Sequence, residues 1–99
     1  MTRLIISSEA HQDLQDIGDY IAHNNPIAAF SLITRLKERC LQIAQHPGIG
    51  RKRDNLLAGL KTLAEGNFTI FFQHNTTTNI VEIVRIVHGY RDFEQIFNL

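Results

Sequence analysis

The sequence predicts an α+β fold of order β-α-α-β-β-β, in which an N-terminal helical hairpin packs on an antiparallel sheet. Two stretches between residues 8 and 46 repeat apolar residues at helical spacing, whereas residues 60–88 are rich in β-branched and aromatic residues. A chain of 99 residues buries only about two thirds of its unfolded surface, too little for two cores. We therefore expect a single domain spanning residues 1–99.

Composition and charge narrow the class of protein. Hydrophobic residues make up 43% and charged residues 20% of the chain, which excludes a disordered protein. No apolar run is long enough to cross a bilayer and residues 1–10 lack a signal-peptide core, so we expect a cytoplasmic protein without a membrane partner. The single cysteine, Cys40, lies within a helical pattern and is expected to be a buried, unreactive thiol.

Charge is distributed unevenly along the chain. Residues 1–25 carry one basic and four acidic residues. Residues 26–61 carry seven basic and two acidic residues, and residues 62–99 carry two basic and four acidic residues. The basic middle suits an acidic partner or a phosphate backbone. A formal net charge of zero is nevertheless unusual for a nucleic-acid-binding domain, so we expect no direct sequence-specific binding to nucleic acid.

The first strand is predicted at residues 2–6, and Ser7 or Ser8 then caps the first helix. One helical face carries apolar residues at Ala10, Leu14, Ile17 and Ile21. The other side carries Asp13, Asp16, Asp19 and His23. We expect these polar residues to form a solvated face rather than a metal site.

The second helix is predicted to begin at Pro26, because proline suits the first helical turn, and to end at Pro47. Its apolar stripe comprises Ala29, Ile33, Leu36, Cys40 and Ile43, widened by Phe30, Leu32 and Ala44. A loop over residues 49–59 follows. Strands are predicted at 60–64, 68–74 and 80–88; these form a meander, and the first strand pairs with the last.

The last strand is predicted to be an interior strand, because β-branched residues occupy both of its alternating faces. Its carboxyl end carries His88, Tyr90, Arg91 and Asp92. Within it, Arg85 requires an anionic partner such as Glu82 or Asp92 unless it reaches solvent.

Five short motifs, spread over nearly the whole chain, resemble the ParE branch of the RelE/ParE toxin superfamily. They are A-x-x-D-L-x-x-I-x-x-Y-I at 10–21, P-x-A-A at 26–29, H-P-x-x-G-R at 46–51, G-L-K at 59–61 and R-I-V-H-G-Y-R-D at 85–92. The resemblance implies the toxin of a bacterial type II toxin–antitoxin system, of the kind associated with plasmid stabilisation. It further implies neutralisation by a ParD-like antitoxin and poisoning of DNA gyrase through protein–protein binding, with no catalytic residue, metal or cofactor.

A RelE-type messenger-RNA endonuclease that acts in the ribosome is the alternative on the same scaffold. Its chemistry needs groups that move protons and cations that hold the phosphate. His88 or Tyr90 would move protons, and Arg85, Arg91, Arg51 and Lys61 would supply the cations. Without that role, His88 is a hydrogen-bonded structural residue and Arg85 a structural ion pair.

The second alternative is a non-toxic protein of this fold that acts as a binding or regulatory subunit. Two departures from the family pattern motivate it: Lys61 stands where arginine is frequent, and Phe72 where tyrosine is frequent. Lysine lacks the planar fork of arginine, and phenylalanine lacks a hydroxyl.

The expected partner-binding residues are Arg51, Lys52, Arg53, Lys61, Arg85, Tyr90, Arg91, Phe93 and Phe97. An antitoxin of this class folds an amphipathic helix into a groove, which we place along the helical hairpin, with an exposed edge strand beside it. For Phe93 and Phe97 the alternative is that their rings close the core.

Overall fold

A computed structural model describes residues 2–89 and 96–97. The elements are β1 (Arg3–Ile6), α1 (Ser8–Ala22), α2 (Pro26–Gln45), β2 (Arg51–Lys52), β3 (Leu60–Glu65), β4 (Phe68–Asn75) and β5 (Ile80–His88). The two helices cover one face of a five-stranded sheet of order β1-β5-β4-β3-β2. The α+β class, the helical hairpin and the β3-β4-β5 meander are therefore confirmed.

Both helices begin at side-chain caps, and the cap of α1 is one of the two serines expected from the sequence. The Ser7 hydroxyl oxygen accepts a hydrogen bond from the Ala10 backbone N–H at 3.0 Å. The Asn25 side-chain oxygen accepts one from the Ala28 N–H at 3.0 Å, and Pro26 occupies the first turn. Each cap satisfies a backbone donor that the helix itself leaves without an acceptor.

The main core fills the space between the helices and the sheet. Its buried members are Ala10, Leu14, Leu36, Cys40, Ile43, Phe68, Ile70, Phe72, Val81, Ile83 and Ile86. Cys40 is fully buried, as expected, and burial raises the pKa of its thiol to about 11. The two helices approach closely at Gly18, where an added Cβ would lie 3.4 Å from Ile33.

A second cluster lies on the other face of the sheet. It is formed by Leu56, Leu60, Phe71 and Val87, with Val84, Ile96 and Phe97 packed against them. The rings of Phe71 and Phe97 meet edge to face, with centroids 5.1 Å apart. Because β5 contributes to both clusters and lies between β1 and β4, its interior position is confirmed.

Two features of the sheet differ from expectation. β1 pairs with β5 in parallel, from Arg3 opposite Ile80 to Ile6 opposite Ile83, so the sheet is mixed and the antiparallel prediction was wrong for this pair. Alternating hydrophobicity is the same for either strand direction, so the sequence carried no signal for it. The predicted loop over residues 49–59 also contains β2, whose two polar residues are too few for a recognisable strand pattern.

The prediction for Phe30 was wrong. Its side chain is 77% exposed, although it was assigned to the apolar stripe of α2. Ala29, Leu36, Cys40 and Ile43 are buried as expected, and these residues define a narrower core-facing stripe. Phe30 falls outside it because consecutive helical residues are rotated by about 100°.

Gly50 holds the chain against the sheet as it enters β2, and we expect Gly50→Ala to destabilise the protein. Its φ is +95°, and an added Cβ would lie 2.8 Å from the Thr62 carbonyl oxygen and 3.0 Å from Phe72. Strain and overlap together predict a loss of about 2–4 kcal/mol in the free energy of unfolding, measured by urea denaturation. Gly48→Ala is the matched control, because nothing lies within 4 Å of its added Cβ; an equal loss in both variants would contradict this account.

Candidate partner-binding site

Where β1 ends, the backbone of β5 is no longer hydrogen-bonded to a strand on that edge and is hydrogen-bonded to side chains instead. β1 covers β5 only as far as Ile83. Beyond that point the Ser7 hydroxyl donates to the Val84 carbonyl oxygen at 2.8 Å, and the Asp13 carboxylate accepts from the Ile86 N–H at 2.9 Å. Backbone groups left by the short strand are thus satisfied by the first helix and its cap.

A bulge accompanies this change of pairing. Phe72 lies opposite Ile83 and Phe71 opposite Arg85, so Val84 is one extra residue in β5. The bulge shifts the alternation of the strand: Ile83 and Ile86, three positions apart, both enter the main core. Arg85 lies opposite Phe71, and from the edge of β5 that β1 leaves uncovered its side chain reaches Asp13 of α1.

Arg85 forms a bidentate ion pair with Asp13. Its Nε lies 2.8 Å from Oδ2 and its Nη2 2.9 Å from Oδ1, with side-chain exposures of 29% and 14% for the arginine and the aspartate. The hydrogen bonds to Asp13 raise the pKa of the guanidinium above its ordinary value. The prediction that Glu82 pairs with Arg85 was therefore wrong, and the other expected partner, Asp92, lies outside the described residues. The prediction that Asp13 belongs to a solvated helix face was also wrong.

Next to this ion pair, an open cleft of about 960 Å³ lies between the helical hairpin and the end of the sheet. Its apolar and aromatic lining includes Ile17, Tyr20, Ile21, Leu32 and Phe68. Tyr20 is 83% exposed. In the sequence it stood out only as the tyrosine of the motif A-x-x-D-L-x-x-I-x-x-Y-I. Besides the paired Asp13 and Arg85, Asp16 and Arg35 also line the cleft and add one acidic and one basic group.

His88 and Arg85 both line the cleft, so two of the expected site residues come together there. The His88 ring packs edge to face on Phe68, with centroids 5.1 Å apart. Just beyond it, Gly89, whose φ is +70°, donates its N–H to the Asn67 carbonyl oxygen. This hydrogen bond fixes the end of β5 against the β3–β4 turn.

Lys61 lies apart from that group. It is opposite Phe72, which in turn lies opposite Ile83, and both of these side chains are fully buried. Its Nζ donates to the Pro47 carbonyl oxygen at 3.2 Å. Lys61 therefore supports the chain after α2, and the main core separates it from Arg85.

The basic loop forms an edge of the sheet. Arg51 and Lys52 are exposed on β2, opposite Thr62 and Lys61. Arg53 donates its N–H to the Leu60 carbonyl oxygen at 2.8 Å, and the Asp54 carboxylate accepts from the Gly59 N–H at 2.9 Å, so the loop is held at both ends.

Of the remaining expected site residues, Phe97 packs on Phe71 in the second cluster. Tyr90, Arg91 and Phe93 lie outside the described residues. Within residues 2–89 and 96–97, no group of three metal-binding side chains converges. In the same part of the chain, neither helix is long and apolar enough to span a membrane.

Comparisons with known proteins agree on one family. Residues 4–93 match the model of the family described as ParE toxin of type II toxin–antitoxin system, parDE. Toxin ParE1 of Caulobacter vibrioides is 32% identical over 84 residues, which is 84% of this chain and 84% of that protein.

Solved structures share the fold. A chain of the chromosomal ParDE system from P. aeruginosa superposes with a TM-score of 0.77 at 22% identity, covering 91% of this chain and 98% of that one. A chain of the RelBE2 toxin–antitoxin complex from Mycobacterium tuberculosis gives 0.68 at 17% identity, covering 88% and 90%. At such identities these likenesses concern the fold alone.

We expect Asp13→Ala to lower the free energy of unfolding by about 2–4 kcal/mol, because it leaves both Arg85 and the Ile86 N–H without their acceptor. Thermal or urea denaturation measures the loss. The matched control is Asp16→Ala on the same helix, whose exposed carboxylate accepts only from Gln12 among the described hydrogen bonds; we expect a change within about 0.5 kcal/mol.

A double-mutant cycle with Arg85→Ala then isolates the ion pair. We expect the two substitutions together to cost clearly less than the sum of the two single losses. Strictly additive losses would show that the pair contributes no coupling energy.

Proposed function

The chain belongs to the ParE toxin family of type II toxin–antitoxin systems, and on that premise we propose that it poisons DNA gyrase by binding it and is neutralised by a ParD-like antitoxin. Both events would take place in the bacterial cytoplasm. The observation that carries the proposal is the pairing of Arg85 with Asp13 beside an open, mostly apolar cleft. The cleft supplies a binding surface, and the ion pair leaves Arg85 bound within the protein.

The antitoxin is assigned to the cleft. Its volume of about 960 Å³ and its apolar lining suit the large side chains along one face of an amphipathic helix. Tyr20 at 83% exposure offers an aromatic anchor, a residue type that often dominates binding energy. Asp16 and Arg35 would orient the incoming segment through charge pairs.

The contacts of Arg85 and Lys61 favour protein binding over RNA cleavage. A RelE-type reaction needs several cations around one phosphate. Arg85 is bound to Asp13, and Lys61 is bound to the Pro47 carbonyl on the other side of the core, so these two do not meet at one site. The exposed basic pair Arg51 and Lys52 instead lies on an edge strand, a position suited to an acidic protein surface.

Purified protein, added to gyrase and supercoiled plasmid, is expected to increase the amount of cleaved DNA trapped with the enzyme. Reversing both edge charges (Arg51→Glu with Lys52→Glu) should weaken this effect at least tenfold if the basic edge contacts gyrase. The matched control is Arg3→Glu, which alters an exposed basic residue on the opposite edge strand.

Induction in bacteria without antitoxin distinguishes the alternatives. Filamentation with a DNA-damage response supports gyrase poisoning. Immediate arrest of translation without trapped DNA would establish the RelE-type activity instead, and unimpeded growth with folded protein would leave only a binding or regulatory role.

Tyr20→Ala is expected to weaken binding of the antitoxin encoded beside the toxin at least tenfold, because it removes the exposed ring at the cleft. Isothermal titration measures the affinity. Phe30→Ala is the matched control, because this ring is nearly as exposed, at 77%, but does not line the cleft. If the antitoxin bound both variants as tightly as the wild type, Tyr20 would not contribute to antitoxin binding and the prediction would be contradicted.

A further inference from the structure

The outer side of α2 carries an apolar stripe that the fold leaves uncovered. Ile27, Phe30 and Leu41 are 83%, 77% and 54% exposed. At about 100° per residue these three side chains lie within roughly 60° of one another around the helix. Exposed large apolar residues are common singly, but three aligned along one helix are typical of an interaction surface.

This stripe is distinct from the cleft proposed for the antitoxin. Leu32 and Arg35, which line that cleft, are rotated by roughly 140–160° from Phe30 around α2. A second, shallower groove of about 590 Å³ lies between the two helices, and it is lined by Ile33 and Lys37, three and seven positions after Phe30 on α2. Gly18 and Ile33 line it, and the absence of a side chain at Gly18 lets the helices approach.

The same face is also complementary to itself in charge. α1 carries four carboxylates and no lysine or arginine, whereas α2 carries three basic residues and one acidic residue. Asp19 of α1 and Lys37 of α2 both line the groove and both are exposed. A protruding ring, a groove and opposite charges therefore occur together on one surface.

We propose that this outer face of the helical hairpin binds a second copy of the chain about a two-fold axis. Phe30 of each copy enters the groove of the other, and each Lys37 meets the other copy's Asp19. Such an isologous arrangement uses each feature twice, which a single surface with both knob and groove permits. A formal net charge of zero imposes no long-range repulsion on the pair.

The size of the face predicts a weak association. Helices of 15 and 20 residues are about 22 and 30 Å long, and two packed helices present a face of roughly 500 Å². Two such faces bury about 1,000 Å² in total, the lower limit of specific interfaces. We therefore expect a dissociation constant in the micromolar range, increased by salt because the rim is charged.

Sedimentation equilibrium of the full chain without antitoxin, from about 5 to 500 μM, tests the proposal. Wild-type protein should dimerise, and Phe30→Glu should raise the dissociation constant more than tenfold. Asp19→Lys and Lys37→Asp should each weaken the dimer, and the double variant should regain affinity because the pair is exchanged. This rescue keeps the test decisive even if the Phe30 variant folds poorly.

Two exposed residues away from this face supply the controls. Leu57→Glu alters a 43% exposed side chain in the loop before β3, and Tyr20→Ser alters the cleft; both variants should dimerise like the wild type. A monomer at every concentration would overturn the proposal, as would a dimer insensitive to Phe30→Glu. Loss of antitoxin affinity in Phe30→Glu without any change in self-association would assign the face to the antitoxin instead.

Discussion

The carboxylate of Asp13 is the contact on which the arrangement of the two layers depends. It accepts two hydrogen bonds from Arg85 and one from the Ile86 backbone, and so joins α1 to β5 where strand pairing with β1 stops. Without it, a guanidinium and a backbone N–H at the half-buried end of β5 would lose their acceptor. The short first strand, the bulge at Val84 and the ion pair therefore belong together. β1 ends early, and α1 supplies the hydrogen-bond acceptor that β1 does not provide for the end of β5.

This solution also determines what kind of surface the end of the sheet presents. Because Arg85 is bound to Asp13, the cleft beside it presents apolar side chains and the His88 ring on Phe68, with Asp16 and Arg35 as its remaining charged groups. Such a surface favours association with another protein over the stabilisation of a phosphate, which needs several unpaired cations at one point. The separation of Lys61 from Arg85 by buried Phe72 and Ile83 points the same way.

Local patterns in the sequence predicted the elements well, and long-range contacts poorly. The expected serine cap of α1, Pro26 at the start of α2 and apolar spacing located both helices within a residue or two. The motifs gave a family resemblance that the comparisons confirmed. The parallel pairing of β1 and the partnership of residues 13 and 85 involve positions about seventy residues apart, for which one sequence holds no signal. Phe30 misled for a related reason: apolarity was taken as burial, although its position lies off the core-facing side of α2.

Cys40 gives the fold an internal reporter. It is the single cysteine, fully buried in the main core, with a thiol pKa raised to about 11. A thiol-reactive dye can therefore modify the native protein only when the helices separate from the sheet, since both access and thiolate formation are suppressed in the closed state. The rate of labelling would measure how often that separation occurs, and whether a bound protein suppresses it, without any engineered probe.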